Sequence, residues 1–197
     1  MIKPWPVISS KALGNFRIFK LRSDRKVSPR TGSELDFLVL ECVNWVNVVA
    51  VTPDDQLVMV EQYRHGSNTV ELEIPGGLME ATDPSPVEAG LRELHEETGY
   101  EGDHPQIIGQ VFANPAIMNN ICHTVLVRDC HLRRETRFDR GEDIITRLVP
   151  VAQIQELVAG NKIGHSLVVA ALYHFDLWRR KAGVSGKASV TASGAPT

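Results

Sequence analysis

Along the first half of the chain, apolar and polar residues alternate with the two-residue period of half-buried strands. FRIFKLRSD (16–24) and SELDFLVLECV (33–43) alternate or cluster β-forming residues around the turn-like SPRTG. WVNVVAVT (45–52) and QLVMVEQYR (56–64) flank TPDD, where Pro53 and an acidic pair predict a hairpin. The short run VELEIP then meets Gly76–Gly77, a breaker. At DPSPVEAGLRELHEETG the period lengthens to about 3.6, the spacing of a helix.

The signals for that helix agree with one another. Ser85 can cap it, Pro86 suits the first helical position, and Glu88 completes an S-x-x-E capping box. Val87, Leu91 and Leu94 form an apolar stripe, and Gly99 is placed to stop the helix. Glu93, Glu96 and Glu97 fall off that stripe, which predicts a carboxylate face separate from the packing face. Farther on, QIIGQVFA (106–113) and CHTVLVRDCHL (122–132) read as strands around the loop NPAIMNN, and IITRLVPV (144–151) as another. Two helices close the pattern, in AQIQELVAG and HSLVVAALYHFDLWRRK. The second has an apolar face of Leu167, Ala171, Leu172 and Phe175 and basic residues where the helix dipole favours them. The class is mixed α+β.

Composition narrows the picture. The chain has 197 residues and a net charge of −3, with no dominant Lys/Arg run, so neither nucleic acid nor a membrane surface is the expected partner. No apolar run is long enough to span a bilayer, and the N-terminal MIKPWPVISS lacks a signal-peptide core. Cys42, Cys122 and Cys130 are odd in number and show no CxxC spacing, which fits a reducing cytoplasm. Residues 183–197 are small and polar and read as a disordered tail.

The remaining puzzle is the helix carboxylates. Like charges three and four residues apart repel by roughly 0.2–0.5 kcal/mol per pair. A solvated acidic face would tolerate that. A bound cation would explain it, and Mg²⁺, a hard ion commonly held by a few carboxylates plus substrate phosphates, suits the side chains. Gly77-LMEAT-Asp83, eight further residues, and then Arg92-Glu93-Leu94-His95-Glu96-Glu97-Thr98-Gly99-Tyr100 resembles the Nudix box of the Nudix hydrolases. The second half matches at every fixed position. The first half departs from the family pattern twice, with Asp83 where glutamate is usual and one extra residue before Arg92. VVAVTPDDQLVMVEQYRHG with ELEIPGG, Pro115 sixteen residues past Gly99, and GEDI (141–144) are similar to the ADP-ribose pyrophosphatase and nucleoside diphosphate sugar hydrolase branch.

That resemblance implies a Nudix fold, a mixed β-sheet between helices (α/β/α) with antiparallel strands ahead of it. Residues 1–44 would form an N-terminal dimerisation region and 45–182 the hydrolase domain. The implied activity is hydrolysis of a nucleotide sugar's diphosphate bond with Mg²⁺, or Mn²⁺ in its place, by a cytoplasmic homodimer. Glu93 and Glu97 would be the main metal ligands, Glu96 a further one, and Gly76 would offer its carbonyl. Arg92 would orient the box carboxylates. Glu142 would act as general base or as a ligand of the substrate-bound metal, with Asp143 and then Asp139 as alternatives. Arg64 would contact the diphosphate and Leu78 the substrate; Trp45 and Tyr63 could stack on a base or pack in the core, and Asn119 and Asn120 could hydrogen-bond the sugar half or form a plain polar turn. Two other readings stay open: a hydrolase preferring GDP-mannose, and a Nudix-fold sensor that binds without cleaving.

Overall fold

In the computed structural model, which describes residues 1–138 and 140–183, the period-two segments become the strands of a central mixed sheet. It runs in the order β10 (Ile144–Pro150), β5 (Gln56–Arg64), β4 (Trp45–Val51), β9 (Ile121–Leu132), β8 (Tyr100–Phe112). β6 (Thr69–Glu73) pairs with β5 and β7 (Gly76–Leu78) with β4. The β4–β9 pair is parallel and the others are antiparallel.

Alternation along the strands decides which helix covers which face. Val48 and Ala50 of β4, Val58 of β5, and Val125 and Val127 of β9 pack with Leu94 of α1 (Pro86–Thr98). Their neighbours Val49, Leu57, Met59 and Leu126 point the other way, onto Val168, Ala171, Leu172 and Phe175 of α3 (Ser166–Lys181). The sheet therefore lies between helices, and the apolar face expected for α3 is the one that packs. A short 3₁₀ turn (Val151–Gln153) and α2 (Ile154–Ala159) lead from β10 towards α3.

β4 and β5 pair over two registers only, Ala50↔Val58 and Val51↔Leu57, beyond the predicted TPDD turn. They then part, β4 to pair with β7 and β5 with β6. A cleft opens in this divergence.

The N-terminal strands β1 (Val7–Asn15), β2 (Phe19–Val27) and β3 (Glu34–Cys42) form a separate antiparallel sheet. It is tied to the body through Leu40, whose N–H donates to Ile117 O (2.8 Å) and whose carbonyl accepts from Asn119 N (3.3 Å). β1 was not expected from the sequence. Nearly all of its residues are exposed and its pairing shifts register twice, so no burial period marks it. β8 likewise starts earlier than QIIGQVFA predicts, because irregularities between Glu101 and Gln106 break its alternation. Residues 184–197, most of the expected disordered tail, lie outside the described residues, as does Asp139.

Candidate active site

α1 begins as its sequence dictates. Ser85 Oγ accepts from Val87 N (3.2 Å) and Pro86 occupies the first turn, while Ser85 also donates to Glu88. At the other end Gly99 adopts φ 73°, and its N–H donates to His95 O at 2.8 Å. A Cβ at Gly99 would fall 2.2 Å from Arg134 O, so this position needs glycine both for its φ and for space.

The helix does not separate its faces as expected. Glu93 and Glu97 are buried, at 9% and 3% exposure, alongside Leu94 and Ala89, whereas Val87 and Leu91 are only partly covered. The two carboxylates therefore point inward, beneath β7. Glu97 Oε2 accepts from Gly76 N at 3.0 Å. A Cβ on Gly77 would sit 2.5 Å from Glu93 Oε1, so the strand approaches that closely because it carries no side chain there.

Arg92 is the hub of the cluster. Its Nε and Nη2 grip Asp83 Oδ1 (3.1 Å) and Oδ2 (3.0 Å), Nη1 donates to Glu93 Oε1 (3.0 Å) and Glu96 Oε2 (2.9 Å), and Nη2 also reaches Leu78 O (3.1 Å). This gives the unusual Asp83 a definite part. It holds the guanidinium in a bidentate clamp, and Arg92 in turn holds the Asp83 carboxyl below its ordinary pKa.

Burial, against the opposing pull of Arg92, pushes the Glu93 carboxyl up to about 7, and burial, with neighbouring negative charge, pushes Glu97 up to about 8. Glu142, in the turn before β10, adds to both shifts, and its charge also acts on Arg64. Glu142 lies two residues ahead of Ile144, which pairs with Gln62, two residues ahead of Arg64. Asp143, the next residue, is exposed.

These residues fit a hard divalent cation. Among the described residues, no protein donor reaches Glu93 Oε2 or Glu97 Oε1, so each buried carboxylate keeps an oxygen for a ligand. All the donors are oxygens, as Mg²⁺ and Mn²⁺ prefer. Among the described residues, no group of three or more His, Cys, Asp and Glu is placed to hold a metal ion by itself. A Mg²⁺ ion here would need substrate oxygens and water beside the protein's carboxylates, as is usual for that ion. Glu96 is committed to Arg92 and lies further out.

The cleft beside this cluster has a volume of about 810 Å³, within the size range of small-molecule sites. Trp45 and Asn47 of β4, Arg64 of β5, Glu73 of β6 and the glycines of β7 line it, with Leu78 at its edge. Phe19, Leu40 and Met118 close it from the N-terminal side, and Gly164 to Leu167 from the start of α3. Three expected substrate contacts lie outside this lining. Tyr63 points away, its hydroxyl donating to Asn68 Oδ1 at 3.1 Å. Asn119 Oδ1 accepts from Cys42 N (3.0 Å), and Asn120 Nδ2 donates to Val43 O (3.1 Å), so both amides fasten the loop to the end of β3. A polar turn in sequence carries no sign of which backbone it will bind.

Sequence reasoning missed Glu73 and His165. Glu73 is 2% exposed and accepts from Arg64 Nε (2.7 Å), Arg64 Nη2 (2.9 Å) and His165 Nδ1 (2.8 Å). Burial alone would raise its pKa, but these donors outweigh it and hold the carboxyl at about 2. In VELEIP it reads as one more strand glutamate; the apolar residues on either side were the available hint.

Comparison with known proteins supplies the context. Residues 44–171 match the family model for the NUDIX domain. The chain belongs to the Nudix family. Its relatives place this Nudix hydrolase in the branch of the ADP-ribose pyrophosphatases. The ADP-ribose pyrophosphatase of Bacillus subtilis (strain 168) is 29% identical over 67% of this chain and 71% of its own length. The ADP-ribose pyrophosphatase of Mycobacterium tuberculosis (strain ATCC 25618 / H37Rv) is 26% identical over 84% and 80%. The methanol dehydrogenase activator of Bacillus methanolicus is 28% identical over 86% and 91%. The crystal structure of an ADP compounds hydrolase superposes with a TM-score of 0.82, covering 94% of this chain and 99% of that one at 20% identity, and so shares the fold.

Proposed function

We propose that this Nudix hydrolase cleaves the diphosphate bond of ADP-ribose, or of a related nucleoside diphosphate sugar, in a Mg²⁺-dependent reaction. One water is consumed, and a nucleoside monophosphate and a sugar phosphate are released; from ADP-ribose these are AMP and ribose 5-phosphate. The observation that carries this reading is that the two buried carboxylates, Glu93 and Glu97, lie directly against Gly77 and Gly76, which line the same cleft as the Arg64 guanidinium. That the relatives include proteins named as ADP-ribose pyrophosphatases supports the choice of substrate.

Magnesium, or manganese in its place, supplies neutralisation of the diphosphate and a more acidic water. Glu93 and Glu97 would hold the ion with the Gly76 carbonyl, and Glu96 and Glu142 would be the ligands for any further ion. Arg92 keeps Glu93 and Glu96 aimed, as a hydrogen-bonded partner does for a ligating side chain. Arg64 offers its fork to phosphate oxygens. Glu142 takes the water's proton, with Asp143 the alternative. Trp45 and Leu78 form the wall against which the nucleotide rests. The protein works in the cytoplasm as a homodimer joined through residues 1–44.

The test is a substrate panel of ADP-ribose, GDP-mannose and UDP-glucose, with the nucleoside monophosphate followed by chromatography. ADP-ribose is expected to give AMP with Mg²⁺ and none with excess chelator. Turnover undiminished by chelator, or no cleavage of any of the three, would contradict the proposal.

A further inference from the structure

Arg64 is the one arginine that lines the cleft among the described residues, and its direction is fixed from behind. Glu73 occupies Nε and Nη2 at 2.7 and 2.9 Å, the bidentate edge of the guanidinium. The opposite edge, Nη1, is thereby turned away from Glu73, on a side chain that keeps 41% of its surface exposed. Glu73 is held in its turn. Its carboxylate is ionised and acts only as an acceptor, so His165 Nδ1, 2.8 Å from Oε2, carries the proton of that contact.

His165 stands at the N-cap of α3 yet makes no capping hydrogen bond. The start of the helix forgoes a side-chain cap, and the imidazole turns to Glu73 instead. An ion pair with its carboxylate buried is weak support for stability, because desolvation of that charge offsets much of the attraction. It is well suited to fixing a direction.

We infer that Glu73 and His165 are positioning residues for substrate, acting through Arg64: the chain His165–Glu73–Arg64 aims the free guanidinium edge at the diphosphate. This rests on the diphosphate reading above. It adds that the C-terminal helix sets the geometry of the anion contact from outside the Nudix box.

ADP serves as the probe, titrated calorimetrically into wild type, Glu73→Gln, Arg64→Ala and the double variant, with ADP-ribose turnover measured on the same samples. Glu73→Gln and Arg64→Ala are each expected to weaken ADP about tenfold, and the double variant to bind no worse than Arg64→Ala alone. Losses that multiply in the double variant, or Glu73→Gln binding like wild type, overturn the inference. So does a wild type that does not bind ADP.

Should Glu73→Gln fail to fold, His165→Ala carries the test. It is expected to weaken ADP about threefold, to be restored by His165→Asn, whose amide supplies a donor near the Nδ1 position, and to have no effect in the Arg64→Ala background. An effect that persists in that background overturns it. ADP binding that follows the expected pattern with no ADP-ribose turnover in wild type refutes the catalytic reading while leaving the positioning chain supported.

Discussion

At the scale of single residues, Glu93 and Glu97 differ from the other buried carboxylates in that burial outweighs the donors and positive charge around them. Folding raises Glu93 to about 7 and Glu97 to about 8, from an ordinary 4.5. Between those limits the folded chain holds more protons than the unfolded one, so stability of the metal-free protein falls as pH rises through the window. A magnesium ion bound there would compete with those protons, and its stabilising effect would grow over the same range. Thermal melts are expected to show a larger magnesium-induced rise in Tm at about pH 9 than at about pH 6; equal shifts would contradict the assignment. Glu73 has the opposite sign. Held at about 2, it contributes stability above its ordinary 4.5 that is lost as pH falls towards 2. The charged residues of the box could be named from the sequence because their spacing is dense and specific. Their burial could not, since helical periodicity places Glu93 and Glu97 off the apolar stripe, and it is the close approach of β7 that covers them.

At the scale of elements, α1 and β7 act as one unit. The helix was legible almost to the residue, because cap, first-turn proline and terminal glycine each leave a mark in sequence. β7, three residues long, was legible only as a breaker. Its role is to bring two glycines against two carboxylates. Gly77→Ala tests this, since the new Cβ meets Glu93 Oε1 at 2.5 Å and Arg92 restrains that carboxylate from yielding. Activity is expected to drop about 10- to 100-fold, as when a ligand's support is disturbed, with cooperative unfolding retained. Unchanged kcat/KM in Gly77→Ala would show that the contact does not matter to the site. The strands of the central sheet were readable from their alternation. β1 was not, because a strand without a buried face leaves no period.

At the scale of the whole molecule, the N-terminal sheet stands away from the core. Leu35, Phe37 and Leu38 on β3 and Val7 and Leu13 on β1 are all between 39% and 53% exposed. Three strands with apolar residues open on the surface call for a partner. A second copy of this chain is the occupant expected, and light scattering should give about twice the mass of one 21.8 kDa chain. Leu38→Asp should shift the mass towards a single chain, and a monomeric wild type would refute the dimer.

In the proposed function, the buried carboxylates of α1 hold a metal ion against a diphosphate. Its most direct test is ADP-ribose turnover by Glu97→Gln at saturating magnesium, a change that keeps the shape and removes the charge. A loss of about a thousandfold or more in kcat in a folded protein is the expected result. Turnover within a few-fold of wild type would contradict the account.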